Sequence, residues 1–366
     1  MIAGLRSAGI EVIECHAQLW TGIEDRVQAA SGGWLQFSFL KRVFSTYRAL
    51  LSKYATIDKN YDVMVLGYPG QLDVFMARML SWWHGKPLVL DLFMSIYLIA
   101  IERGLDKKSS LSITILRLTE KIACYLPDML ICDTNEYVAW HHKTHGLPQH
   151  KFRLVPTGAD DRVFRPLVGR MISSPFMSDK MSCLRVLYYG TFIPNHGVEI
   201  IIEAARLLRN KNDIIFELVG EGPTKAKAVQ LANKYQLENV RFIDWIAKAN
   251  LPKKMAHADV ILGAFGTTPQ SLMTVQNKIY EGLAVGKTVV TGDAPTIRET
   301  MKHGKHLYLC HRDAQSLAGS LFFLKQNPEL MLGIAKNGHD LYRSEFTIFQ
   351  LGTRFCQHLM EVINSK

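Results

Sequence analysis

The sequence predicts an α/β protein built as two Rossmann-like, doubly wound parallel-sheet domains that face each other across a cleft. Short β-branched runs alternate with amphipathic helical stretches along all 366 residues, the pattern of parallel sheets covered by helices. That length is more than one core takes and suits two domains. The alternation breaks once, over residues 165–183, where Pro166, Gly169, Ser173, Ser174 and Pro175 cluster and the periodicity is lost. Such a stretch marks a linker.

Met1 to Gly9 reads as the last turns of a helix, and Glu11–Cys15 as a strand that follows at once. Trp34, Phe37, Leu40, Phe44, Tyr47 and Leu51 recur at helical spacing with Lys41, Arg42, Arg48 and Lys53 between them, so residues 34–54 form a helix. Its stripe either packs on the sheet or lies on an anionic membrane. Short apolar runs then predict strands at Asp62–Leu66, Pro87–Leu90, Met129–Cys132 and Phe152–Val155. Helices are expected at 71–83, 111–126 and 134–145. Past the linker, strands follow at Arg185–Tyr189, Ile214–Val219, Val240–Ile243, Val260–Leu262, Thr288–Val290 and Leu307–Leu309, each succeeded by a helix. Two domains so joined leave a cleft at the carboxyl ends of their strands.

Composition excludes several classes. With 48% apolar and 21% charged residues the chain is globular, not disordered. Residues 1–160 hold 17 basic and 15 acidic side chains, so nearly all of the net +10 lies downstream. That excess suits an anionic ligand such as a nucleoside diphosphate, an anionic membrane face, or a merely solubilised surface. The six cysteines are scattered, with neither a CxxC pair nor a Cys/His cluster at metal spacing. Reduced thiols in a cytoplasmic protein, with no disulfide frame and no zinc site, are the expectation. The opening residues read as no signal peptide, and the longest uncharged apolar run, Leu92 to Ile101, is too short to span a bilayer. GxGxxG and GxxxxGK[ST] are both absent, which argues against dinucleotide oxidoreductases and P-loop NTPases.

Three stretches carry chemistry. Gly190-Thr191-Phe192-Ile193-Pro194-Asn195-His196-Gly197 follows a strand and opens a helix. Such a turn either brings backbone N–H groups to an anion or is a plain tight turn. Gly220, Glu221 and Gly222 form a second glycine-rich turn at the same sheet edge. The third stretch runs from Asn277 to Val290, where Lys278 and Glu281 share one helix face at i, i+3. The glutamate can accept from vicinal ribose hydroxyls while the lysine meets a phosphate; an exposed Lys–Glu pair is the alternative. Asp91 ends the Pro87–Leu90 strand, either to serve the cleft or to shape a turn. His141, His142 and His145 read as exposed helix residues.

In this order the stretches resemble the retaining GT-B glycosyltransferases of family four, over nearly the whole chain. Further segments carry the resemblance: His257-Ala-Asp-Val260 and the tail Ala314 to Phe346 in the second domain. Pro127-Asp-Met-Leu-Ile-Cys-Asp-Thr134 and Val155-Pro-Thr-Gly-Ala-Asp160, with Phe164 and Pro166, do so in the first. The resemblance implies an acceptor-side domain over 1–164, joined by a C-terminal helix within 346–366, and a donor domain over 165–345. It implies transfer of a sugar from a UDP- or GDP-type donor to a glycan or lipid-linked acceptor. The nucleotide sugar is then a co-substrate, with no metal or other cofactor and no nucleic-acid partner, at the inner membrane face.

Position by position, Glu281 matches the ribose-holding glutamate, and Gly190, Thr191 and Gly197 lie in the loop facing the diphosphate. The family places arginine where Thr191 stands, lysine where His196 stands and glutamate where Met273 stands. Lys278 then supplies phosphate charge, and backbone amides around Thr274, Val275, Gln276 and Asn277 take over the sugar contact. Asp91, His196 and Lys278 are the catalytic candidates. The resembled fold also has a strand before the Met1–Gly9 helix, so a missing first strand is expected. Two other classes remain open, a GT-B nucleotide-sugar epimerase with acid/base carboxylates in the cleft and a non-catalytic sugar-nucleotide-binding subunit.

Overall fold

The computed structural model describes residues 1–19, 37–167, 183–211 and 213–365. Most of the expected linker, and Trp34, lie outside them. The first half contains α1 (Ile2–Ser7), α2 (Phe37–Thr56), β1 (Met64–Leu66), α3 (Val74–Trp83), β2 (Leu88–Asp91), α4 (Ile96–Glu102), α5 (Leu105–Lys108), α6 (Ser110–Tyr125), β3 (Met129–Cys132), α7 (Asn135–His145) and β4 (Phe152–Leu154). The four strands pair in parallel in chain order, with Leu66 opposite Leu90, Asp91 opposite Ile131 and Cys132 opposite Leu154. Both faces are covered at the centre of the sheet, which is why β2 and β3 read as continuous apolar runs. Leu88 and Leu90 pack toward α3, α6 and α7, while Val89 and Ile131 face α1 and the last helix of the chain.

The second half contains β5 (Leu184–Tyr189), α8 (Val198–Leu207), β6 (Ile214–Val219), α9 (Lys225–Lys234), β7 (Val240–Ile243), α10 (Leu251–Ala256), β8 (Val260–Leu262), α11 (Pro269–Met273) and α12 (Asn277–Ala284). It closes with β9 (Thr288–Gly292), α13 (Pro295–Arg298), β10 (Tyr308–Cys310), α14 (Ala314–Gln326), α15 (Pro328–Glu345) and α16 (Ile348–Asn364). Its parallel sheet has the order β10-β9-β8-β5-β6-β7. The chain enters mid-sheet at β5, winds out to β7, then returns beside β5 at β8 and winds the other way. The reversal between β5 and β8 opens a crevice at their carboxyl ends, where ligands of doubly wound sheets bind.

Helix α16 returns to the first sheet, burying Phe355, Leu359 and Val362 with Leu5, Val89 and Ile131. It crosses α1 so closely that a Cβ on Gly352 would lie 2.0 Å from the Gly4 carbonyl oxygen.

Glu11–Cys15 forms no strand. A strand exists only with a ladder partner, and β1 stands at the sheet edge with no strand on its outer side among the described residues. Arg6 holds the segment instead, donating to Val12 O at 3.1 Å and to Glu14 at 2.8 Å. The uncharged run from Leu92 to Ile101 supplies most of α4, capped by Ser95, whose hydroxyl accepts from Leu98 N.

Candidate functional site

Backbone geometry builds the first wall of the crevice. After β5 the chain turns at Gly190, with φ +133°, and enters α8 through Gly197, with φ +63°. A Cβ on Gly220 would stand 2.0 Å from Gly190 O, and one on Gly197 would stand 2.5 Å from Gly266 N. The 190–197 loop is therefore clamped between two neighbouring turns that tolerate no side chain. Phe192 N donates to Glu221 O at 2.8 Å, and Phe265 N to His196 O at 3.0 Å. The amides at the start of α8 are thus held at the carboxyl edge of the sheet, where a helix start favours an anion.

Lys278, on α12, fills the space beneath this loop. It is 5% exposed, its Nζ has no hydrogen-bond partner, and it sits 4.3 Å from the Tyr188 ring centroid. A Cβ on Gly190 would be 3.3 Å from that Nζ. Burial pulls the lysine down to about 7, because an unpaired ammonium out of water is costly. Glu281, one turn on, accepts from Tyr189 Oη at 2.8 Å. Its burial raises the carboxyl above the usual range, and the tyrosine bond pulls the other way.

His196 Nδ1 lies 2.6 Å from Thr191 O and 3.0 Å from Tyr188 Oη. A ring nitrogen that close to a carbonyl must donate, so Nδ1 carries the proton. Burial, with Lys278 adding to it, pushes the ring down to about 3. His196 is therefore neutral, and the cation of this corner is Lys278.

The opposite wall is the 264–277 stretch, which the first lobe holds. Thr134 Oγ1 donates to Met273 O at 2.7 Å, and Tyr137 Oη lies 3.0 Å from Thr274 Oγ1. Thr157 Oγ1 reaches Val275 O at 3.4 Å, and Gln270 N donates to Glu102 at 2.8 Å. Gln276 donates back to Ser271 O at 3.2 Å. Arg312 pins the stretch from behind, donating to Asp293 O at 2.8 Å and to Ser271 Oγ at 3.1 Å. The carboxyl ends of the first sheet thus face α11 and α12.

Asp91 ends β2 on this side, and burial raises it to about 6. The loop after it passes through Phe93 at φ +38°, a left-handed value that a bulky residue adopts only under constraint.

Most of the expected site residues converge. Gly190, Thr191, His196, Gly197, Gly220, Gly222, Lys278 and Glu281 gather at one corner, with Thr274 to Asn277 beside them. Glu221 turns its carboxylate outward to Lys225. Asp91 stands across the cleft in the other lobe.

Sequence reasoning missed Asp133, which directly follows β3. Asp133 is buried, and that burial, with Asp91 adding to it, raises its carboxyl to about 7. Its signal was available: an aspartate closes two adjacent strands at equivalent places. Tyr189, Glu102 and Arg312 had no signal, because their partners are distant in sequence.

His141 and His145 are buried, which corrects the expectation of exposure; only His142 is exposed. His145 Nε2 lies 3.4 Å from Glu120, which also accepts from Ser95 Oγ at 2.7 Å. No group of three metal-ligating side chains occurs among the described residues.

Residues 183–327 match the family model "Glycosyl transferases group 1". Over 114 residues the chain is 32% identical to the protein named as colanic acid biosynthesis glycosyl transferase WcaI of Escherichia coli K12. That match takes in 30% of this chain and 27% of the relative.

Among solved structures, sucrose-phosphate synthase of Thermosynechococcus elongatus superposes with a TM-score of 0.70 at 17% identity, covering 91% of this chain and 80% of that one. HepE of Anabaena, in complex with UDP, gives 0.67 at 17% identity, covering 85% and 82%. Its complex with UDP-glucose gives 0.64 at 18%, covering 87% and 82%. The two-lobed architecture is GT-B, and residues 183–327 of the second lobe are similar to the glycosyl transferases group 1 model.

Proposed function

We propose that this chain is a retaining glycosyltransferase. It moves a sugar from a UDP- or GDP-type donor to a hydroxyl of a glycan or lipid-linked acceptor, in cell-surface polysaccharide or glycoconjugate synthesis. The observation that carries this reading is Lys278, a buried side chain whose Nζ has no hydrogen-bond partner, beneath a glycine loop and one helical turn from Glu281. The printed names of the relatives support it: HepE was solved with UDP and UDP-glucose, and WcaI is named for colanic acid.

In this reading Glu281 accepts from the ribose hydroxyls, and Lys278 with the amides of residues 190–197 meets the diphosphate. The backbone of 274–277 lies under the sugar. The acceptor oxygen bonds to the anomeric carbon on the face that the diphosphate leaves. The bond to the phosphate oxygen breaks, and that oxygen takes the acceptor's proton. The chief catalytic demand is stabilising charge on the leaving diphosphate, met by Lys278 and the start of α8 without a metal. The enzyme works in the cytoplasm, against the inner face of the membrane.

A panel of nucleotide sugars tests the reading. At least one UDP- or GDP-type donor raises the melting temperature, because it binds only the folded state, and the same donor supports transfer, with activity unchanged by EDTA. A panel in which none stabilises the protein refutes it. Asp91 and Asp133, buried and raised at the cleft, favour one other reading, an epimerase using them as acid and base. That enzyme converts the donor with no acceptor present, and the transferase does not.

A further inference from the structure

The first lobe presents a layer of three helices whose outer faces are apolar. Helix α2 lies along α3: Tyr47 Oη meets Asp73 at 2.5 Å near the start of α3, and the Tyr54 and His84 rings stand 6.0 Å apart at its end. On the other flank, Ala77 of α3 packs with Ala123 of α6, and Arg78 pairs with Asp128 at 2.7 Å just beyond α6.

The inward faces of α3 and α6 are accounted for by Val74, Ala77, Ala123 and Cys124. Their outward faces are apolar as well. On α6, Leu111, Ile115, Leu118 and Ile122 recur at i, i+4, i+7 and i+11, and all are exposed, Leu111 by 70%. On α3, Phe75, Met79 and Trp82 repeat the spacing, and Trp83 beside them is 85% exposed. Phe44 and Leu51 continue the layer on α2. A helix with an apolar outward stripe as well as an apolar inward one has a second face to cover, and clustered exposed apolar side chains mark a docking surface.

Charge decides the partner. Lys41, Arg48, Lys53, Arg117 and Lys121 are exposed on these helices. Their only acidic residue, Glu120, is fully buried and engaged with Ser95 and the amides of Ile96 and Tyr97. A symmetric contact between two copies would set these cations against one another, whereas an anionic lipid surface neutralises them. Exposed tryptophans among basic side chains are the composition of a membrane-interface face.

We infer that α3 and α6, flanked by α2, form the face by which this protein lies on an anionic membrane. The inference rests on the membrane-surface location proposed above and names the surface responsible. Trp82 and Trp83 enter the interfacial region while the lysines and arginines meet lipid phosphates.

The test is flotation of the full chain with phosphatidylglycerol/phosphatidylethanolamine vesicles at low salt, with phosphatidylcholine vesicles for comparison. Binding is expected to the anionic vesicles only. Met79→Ser with Trp83→Ser, and separately Ile115→Ser with Leu118→Ser, are expected to weaken it about tenfold while melting temperature and nucleotide binding stay unchanged. If both pairs bind as well as the unmodified protein, this surface is wrong and the membrane location stands. If the unmodified protein ignores anionic vesicles, surface and location both fall, and the donor site is untouched. If it sediments as a dimer that the substitutions dissociate, the face is a contact between copies and the inference is overturned.

Discussion

Burial leaves Lys278 close to half titrated at neutral pH, and that has a direct consequence for binding. Its position near 7 lies well below an ordinary lysine. Below pH 7 the free protein already carries the charge, whereas above pH 7 the lysine is neutral and a diphosphate must draw a proton onto it. Affinity for a nucleoside diphosphate should therefore fall as pH rises above 7, by up to about tenfold per unit. Calorimetry at pH 8 in buffers of different ionisation enthalpy should show proton uptake that Lys278→Met abolishes; no uptake in the unmodified protein would leave Lys278 away from the phosphates. Glu281 answers a separate measurement. Glu281→Ala should cost about 1–3 kcal/mol of nucleotide binding with the fold intact, and unchanged affinity would remove it from the ribose. The i, i+3 spacing of these two residues was legible in the sequence. Their protonation states were not, because those depend on Tyr188, Tyr189 and Gly190, brought alongside by packing of β5 on α12.

Among the elements, the strands of the second sheet were readable because burial makes most of each a short apolar run, unbroken in β8 and interrupted by a single charged residue in β5, β6 and β7. The order β10-β9-β8-β5-β6-β7 follows from the winding rule of parallel sheets. Glu11–Cys15 was misread for the complementary reason: alternation is local, but a strand needs a neighbour, and β1 is not beside it. The outward stripes of α3 and α6 escaped notice too, since an apolar helix pattern does not say which of its faces meets the sheet. The glycine turns were found as sequence but their interlock was not. Gly220→Ala tests that interlock. A methyl group there would stand 2.0 Å from Gly190 O, in a residue at φ +137°. Something must move, and the 190–197 loop is what it touches. The substitution should lower stability by about 2 kcal/mol or more and reduce nucleotide binding further than the destabilisation explains. Gly319→Ala, in α14 with open space around it, serves as the control and should leave nucleotide binding unchanged while raising stability by up to about 1 kcal/mol.

At the scale of the whole molecule, each lobe has its own main core, with Ala159 and Phe164 from the end of the first packing into the second. Val89 and Ile131 pack with Leu5, Phe355 and Leu359 in the first; Val186, Phe216 and Val260 anchor one cluster of the second, and Ile261 and Ile279 another. Between the lobes run a few hydrogen bonds, among them Thr134 to Met273 and Gln270 to Glu102, with Met273 reaching into the first lobe's apolar cluster. Polar contacts of that kind are worth about 1 kcal/mol each, too little to make two cores melt as one. Calorimetric unfolding should therefore resolve two transitions. A nucleoside diphosphate at 100 times its dissociation constant should raise only the second lobe's transition, by the equivalent of about 2.7 kcal/mol. Leu359→Ala, which opens a cavity between α16 and the first sheet, should lower only the other, by about 2–5 kcal/mol. Although α16 is the last element of the chain, its substitution should thus leave the ligand-responsive transition in place. A single transition moved by both ligand and substitution would mean that the lobes fold as one unit, with α16 tying the donor site to the stability of the first sheet.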